Sequence, residues 1–259
     1  MEGPGARSTL QPEEVDLFRH NGFVKLPTRL PADLVEGLKA SALEDIQNEV
    51  EPVARRDGEV DRISGLWDRG GVFQQAIACD EILDPLESLL GPNIEFMLNR
   101  HNHIYLRDRK SLASIELHRD CRVWSRNLLS VLVYLEDTHL ENGCTYVVPG
   151  SHHLPTLSNF AYIRERKELL GIAWSQAIPL PMPAGGLLAM DGLLLHAAGR
   201  NQTDGTRMSM TLGYHSADEF SLPDDRKHVL VRGERTYGGN DVRSMDRYSR
   251  PGSKRTEVY

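Results

Sequence analysis

The chain lacks any uninterrupted apolar run long enough to span a bilayer. Its opening residues, "MEGPGARSTL", lack the apolar stretch of a secretory leader. These two absences lead us to expect an intracellular, cytoplasmic protein that does not enter a membrane. An excess of positive charge is also missing. The formal net charge is −7, which excludes the broad basic face that nucleic acid or an anionic membrane surface requires. The expected partner is therefore a small molecule, and the sequence sets no oligomeric state. Cysteine is scarce: Cys79, Cys121 and Cys144 are odd in number and form no C-x-x-C pair. Reduced thiols fit this better than a disulfide framework, and Cys121 reads as a small buried apolar residue. No internal repeat is visible.

What is present is globular. Hydrophobic residues make up 40% and charged residues 26% of 259 positions, enough to bury one large core and a pocket in a single domain spanning 1–259. Residues 10–90 read as mainly helical. "QPEEVDLFRHN" begins with a proline and acids suited to a helix first turn, with Val15 and Phe18 turned inward. "GFVKLP" reads as a short strand. After Pro31, Leu34, Leu38, Ala42 and Ile46 recur at four-residue steps, as on an amphipathic helix.

From about residue 93 to 215 the texture changes. Short strand-like runs ("IEFML", "SIEL", "LLSVLVYL", "TYVV", "GLLAMDGLLLH", "RMSMTLGYH") alternate with turns containing "ENG", "PGS", "AGG" and "TDG". This pattern predicts a mainly β sandwich or barrel with flanking helices. In the last run, Met208, Met210, Leu212 and Tyr214 alternate with Arg207, Ser209, Thr211 and Gly213. One face should pack on a core and the other should line a polar cavity. Residues 216–259 read as a loop-rich tail, either solvated or closing over the pocket.

The stretch "ELHRDCRVW" places His118 and Asp120 two apart. On a strand they share a face and can ligate one metal. Roughly one such triplet is expected by chance in a chain with ten histidines, so a third ligand has to decide the matter. Most other histidines sit in turns, polar loops or helix ends. His196 differs: it closes the apolar run "DGLLLH", and Arg207 follows eleven residues later across a Gly/Asn/Asp turn. If 190–196 and 207–214 form a hairpin, His196 and Arg207 lie on neighbouring strands. Two histidines and one carboxylate form the facial triad of non-haem Fe(II) oxygenases. Three coordination positions then remain, two for an α-keto acid and one for O2. A dicarboxylate co-substrate needs a cation at its far end, and the guanidinium fork of Arg207 suits it.

With these residues together, the sequence resembles the phytanoyl-CoA dioxygenase family of Fe(II)/2-oxoglutarate oxygenases. The resemblance rests on "LHRD", on "VYLEDTHLENGCTYVVPGSHH", on "HAAGRNQTDGTR" and on the entry "LQPEEVDLFRHNGFVKLP", and it covers about residues 9–215. It implies a double-stranded β-helix (a jelly roll, cupin-like) with the N-terminal helices packed on one sheet. It implies His118, Asp120 and His196 as catalytic iron ligands, with Fe(II), 2-oxoglutarate and O2 as cofactor and co-substrates. It gives Arg207 the distal carboxylate of 2-oxoglutarate and Asn102, in "NRHNH", a further co-substrate contact. Two positions depart from the family pattern. Arg119 stands where many relatives have Gln or Ser, and Ala198 stands where some have Ser. Asp120 also separates the chain from related halogenases, which replace that carboxylate with a small residue.

The implied chemistry is decarboxylation of 2-oxoglutarate coupled to C–H oxidation, with hydroxylation, epimerisation, desaturation or cyclisation as the outcome. Substrate contacts are assigned to Arg119, Trp124 and Trp67. Arg122 and Arg126 flank Trp124, and a structural role stands beside the functional one for each of these residues. No strongly basic entrance is evident in the sequence. The expected substrate is a natural-product biosynthetic intermediate. The alternative is an acyl or amino-acid substrate of catabolism. Two rivals of another class are a cupin-like metal-dependent isomerase, which does not need Arg207 at its spacing, and a non-catalytic binding protein, a kind that often loses a ligand, whereas all three are present here.

Overall fold

Glu14 and Gly22 bound the first helix. In the computed structural model, which describes residues 8–56, 58–107, 117–121, 128–154, 171, 173–219 and 227–235, α1 spans Pro12–Asn21. The Glu14 carboxylate accepts the Gln11 N–H at 2.8 Å, capping a start that proline already favours. The helix stops at Gly22, whose φ of 83° suits glycine and where a Cβ would meet His152 Nδ1 at 2.5 Å. Phe18 is buried and Val15 packs against the same core, as the spacing predicts. Strand β1 (Phe23–Arg29) follows directly. Helix α2 (Ala32–Gln47) buries Leu34, Leu38 and Ala42, with Ile46 partly covered.

The next segment departs from the helical reading of residues 10–90. Val53–Arg56 (β2) and Glu59–Ser64 (β3) form an antiparallel hairpin that joins the main sheet through β3. A 3-10 turn (Leu66–Arg69), α3 (Gly71–Ile77) and α4 (Asp80–Leu90) complete the region.

The remaining strands are β4 (Ile94–Met97), β5 (Asn102–Arg107), β6 (Leu129–Tyr134), β7 (Thr145–Val147), β8 (Ile178–Leu180), β9 (Gly186–Asp191), β10 (His196–Ala198), β11 (Arg207–Ser216) and β12 (His228–Arg232). They form two sheets. The large one runs β1-β9-β6-β11-β5-β3-β2, with β4 pairing the far end of β11 and β12 pairing β4. The small one runs β10-β7-β8. This is a double-stranded β-helix, mainly β with helices on one sheet. Of the expected runs, residues 114–116 of "SIEL" lie outside the described residues.

Strand β11 organises the molecule. Met208, Met210, Leu212 and Tyr214 are buried in one core with Leu38, Phe73, Ile77 and Leu86 of the helices. The Tyr214 hydroxyl donates to Ile77 O at 2.9 Å, locking the sheet onto α3. A smaller core, including Tyr134, Val147, Leu180, Leu188 and Leu194, lies between the two sheets. Arg207, Ser209 and Thr211 face away from the helices into a cavity. The sidedness therefore follows from the two-residue period of the strand.

Candidate active site

His118 and Asp120 sit on a short extended segment that adds itself to the end of the small sheet. His118 and His196 exchange both backbone hydrogen bonds, at 2.9 and 3.0 Å, and their rings lie 4.3 Å apart. The ladder continues as Cys121 N–H donates to Gly192 O at 2.7 Å. Asp120, two residues beyond His118, turns to the same side. Its Oδ1 lies 3.5 Å from His196 Nε2 and 3.8 Å from His118 Nε2. One donor atom from each of the three residues falls within 4.8 Å of the others.

Two of the three residues are oriented by neighbours. His196 Nδ1–H donates to Leu194 O at 3.0 Å, which leaves Nε2 as the lone-pair nitrogen facing Asp120. Ser130 Oγ, on β6, donates to Asp120 Oδ2 at 2.6 Å and leaves Oδ1 toward the histidines. Burial alone would raise the Asp120 pKa. The imidazoles of His196, His101 and His118 outweigh it, with help from Ser130, and the pKa is lowered to about 2. An anionic oxygen among imidazole nitrogens, with the Asp120 and His196 side chains buried and that of His118 half-exposed, fits a divalent transition metal.

His101 is a group that the sequence reading passed over. Its φ is 48°, and its Nε2 lies 3.8 Å from Asp120 Oδ1. Burial lowers its pKa. The available signal was strand parity. On β5, His103 pairs with Thr211, whose side chain faces the cavity, while Asn102 pairs with Leu212, whose side chain faces the helices. His101, His103 and Tyr105 line the cavity.

The same parity governs Asn102. It is buried away from the lining, its Oδ1 accepts Trp67 N–H at 3.3 Å and its Nδ2 donates to Leu98 O at 3.1 Å. Its amide shapes a turn. Trp67 packs against Phe96, with ring centroids 6.1 Å apart, and does not line the cavity. Arg119 does line it, with its guanidinium donating to Ser151 O at 2.7 Å. Burial lowers the Arg119 pKa, with Asp191 opposing. Trp124, Arg122 and Arg126 lie outside the described residues.

Arg207 reaches the cavity by a different route from the expected hairpin. His196 belongs to the small sheet, where β10 pairs with β7, while Arg207 opens β11 in the large sheet. The two residues come from opposite sheets and meet in one cavity. A short hydrogen bond from the Arg207 guanidinium to Gly143 O holds it there. The cavity measures about 710 Å3. Among the described residues its lining includes Arg55, Arg62, Arg100, Arg119 and Arg207 and two carboxylates, Asp61 and Asp120. Arg62 lies over the Tyr105 ring at 5.8 Å. A basic lining is therefore present among the described residues, one the sequence does not make evident because Arg55, Arg62, Arg100, Arg119 and Arg207 lie far apart along the chain. No helix among the described residues is long and apolar enough to cross a membrane.

Comparison with known proteins agrees with this geometry. The family model for phytanoyl-CoA dioxygenase (PhyH) matches residues 18–209. Peroxisomal phytanoyl-CoA dioxygenase of Mus musculus is 24% identical over 268 aligned residues, covering 89% of this chain and 78% of the mouse protein. A probable alpha-ketoglutarate-dependent hypophosphite dioxygenase of Stutzerimonas stutzeri is 23% identical, covering 79% of this chain and 78% of that protein. Among solved structures, the non-heme alpha ketoglutarate dependent epimerase SnoN from nogalamycin biosynthesis superposes with a TM-score of 0.68 at 22% identity, covering 85% of this chain and 98% of that one. That likeness shows a common fold.

Proposed function

This chain belongs to the phytanoyl-CoA dioxygenase family of Fe(II)- and 2-oxoglutarate-dependent oxygenases, and on that premise we propose that His118, Asp120 and His196 hold the iron while Arg207 binds the far carboxylate of 2-oxoglutarate. One observation carries the reading. Asp120 Oδ1 faces the Nε2 atoms of both histidines at 3.5 and 3.8 Å in a cavity that Arg207 also lines. Bound together, iron, 2-oxoglutarate and O2 supply the oxidising power, with 2-oxoglutarate leaving as succinate and CO2 and a substrate C–H bond being oxidised.

The protein's own residues bind and orient. Leu194 O and Ser130 Oγ hold His196 and Asp120 with their ligating atoms turned inward. The Gly143 carbonyl fixes one edge of the Arg207 guanidinium in the cavity lining, within reach of a carboxylate bound there. A volume of about 710 Å3 suits 2-oxoglutarate beside a small organic substrate.

We read that substrate as carrying an anionic group, because Arg55, Arg62, Arg100 and Arg119 line the cavity in addition to Arg207. A natural-product biosynthetic intermediate is the first class, supported by the shared fold with SnoN over most of both chains. An acyl or other carboxylic-acid substrate is the second, favoured by the basic lining. Hydroxylation, epimerisation, desaturation and cyclisation are all compatible with the site.

The test is 2-oxoglutarate turnover, read as succinate. Wild-type protein with Fe(II) should release succinate, and anionic candidate substrates should stimulate release more than neutral ones. Asp120→Ala should release none while remaining folded. Turnover by that variant equal to wild type overturns the reading.

A further inference from the structure

A second histidine–carboxylate cluster lies at the other end of β11. Glu95 on β4 pairs in register with His215 on β11, and on its other side with Leu230 on β12. His228 is two residues before Leu230, so it projects from the same side of β12 and reaches Glu95 diagonally. Three adjacent strands thus bring Glu95, His215 and His228 together on one face of the sheet. Glu95 Oε2 is 3.1 Å from His215 Nε2 and 3.7 Å from His228 Nδ1, and the two imidazole rings meet edge-on at 4.3 Å. One donor atom from each residue lies within 4.8 Å of the others. The Glu95 side chain is 1% exposed and that of His228 2%.

This cluster repeats the logic of the first one. His215 Nδ1–H donates to Ser216 O at 2.9 Å, as His196 Nδ1–H does to Leu194 O, so in the neutral imidazole Nε2 is the lone-pair nitrogen. Arg235 contacts Glu95 Oε1 and leaves Oε2 toward the histidines, the part that Ser130 plays for Asp120. A lone-pair nitrogen and a carboxylate oxygen 3.1 Å apart repel unless something cationic lies between them. Ligands at about 2.1 Å from a tetrahedral ion stand roughly 3.4 Å from one another. The observed spacing is of that size.

The cluster is separate from the cavity, since none of its three residues lines it. Between the two stands Gly213, where an added Cβ would meet Arg100 O at 3.1 Å and His101 Cβ at 3.2 Å.

We infer that Glu95, His215 and His228 form a second divalent transition-metal site of the zinc class, with water completing the coordination. Its function is structural: it clamps β12 to β4 and β11, and with them the segment that follows the jelly-roll core. Two imidazoles and one carboxylate suit zinc with water in the fourth position, and the clamping role follows from three ligands drawn from three adjacent strands, with Glu95 and His228 almost fully buried.

The experiment uses full-length, untagged protein, stripped with chelator and dialysed against Zn(II). Bound metal is then counted by elemental analysis. Removing the first site with His118→Ala/His196→Ala should leave one zinc per chain. Adding His228→Gln should take that to zero, while the exposed-site control His139→Gln should leave it at one. A double variant that binds no zinc, or zinc that survives His228→Gln, overturns the proposal and leaves a proton shared between His215 and Glu95 in place of a metal. Failure of the iron assignment reads differently, as a double variant that binds as many ions as wild type. Should His228→Gln fail to fold, anomalous scattering at the zinc edge from crystals of the double variant decides. A peak among Glu95, His215 and His228 supports the site, and featureless density there overturns it.

Discussion

Replacing Arg207 with alanine removes the cation assigned to 2-oxoglutarate and leaves the iron ligands in place. Arg207 as a whole is 3% exposed, so solvent screens it little and a charge-assisted contact there keeps most of its strength. Each hydrogen bond to a charged group contributes about 1.5–3 kcal/mol. Gly143 O holds the guanidinium in the cavity lining, and one such contact to the co-substrate carboxylate sets the scale. A loss of about 3 kcal/mol corresponds to roughly 100-fold weaker 2-oxoglutarate binding. The assay is the dissociation constant of 2-oxoglutarate for anaerobic Fe(II)-loaded protein, measured beside that of Fe(II) itself. Arg207→Ala should raise the first about 100-fold and leave the second within a few fold. Arg207→Lys should fall between, because a point charge replaces a fork. An Arg207→Ala protein that binds 2-oxoglutarate within twofold of wild type refutes the anchoring role.

Other consequences follow from the same contacts. Ser130→Ala frees Asp120 Oδ2 from its hydroxyl partner, and iron affinity measured by competition with a chelator should fall about 10- to 100-fold; unchanged affinity means that Ser130 does not position the ligand. Gly143 has a φ of 83° and packs on Gly199, where a Cβ would press into the Gly199 carbonyl. Gly143→Ala should therefore cost about 2 kcal/mol or more in urea unfolding, and a cost near zero contradicts the packing. Burial pushes the Cys79 thiol up to about 12, so at pH 8 it stays protonated and native protein should alkylate there far more slowly than unfolded protein. Equal rates would show that Cys79 is not shielded.

The local part of the site was legible in the sequence. His118 and Asp120 needed only strand parity, and the alternation through Arg207–Tyr214 assigned both faces of β11 correctly. The non-local part was not. His196 and Arg207 are close along the chain, which suggests a hairpin, but β10 pairs with β7 and β11 with β5 and β6. Nothing local says which sheet a short strand joins, since its partner lies about fifty residues away. Asn102 failed on parity: the strand that aims His103 at the cavity turns its neighbour to the core. The β2–β3 hairpin was overlooked because "VARRDGEVDRIS" is charged and lacks a clean apolar face, although its Asp-Gly pair is a strong hairpin signal. With it went Arg55 and Arg62, half of the added positive charge on the cavity wall.

The most direct test of the central claim is an anaerobic titration of metal-free protein with Fe(II) and then 2-oxoglutarate, followed by visible absorption. Our account predicts that a metal-to-ligand charge-transfer band grows on adding 2-oxoglutarate, saturates at one equivalent per chain and is absent from Asp120→Ala. Iron binding with no band on adding 2-oxoglutarate would contradict it, leaving a metal site without the co-substrate that Arg207 is said to hold.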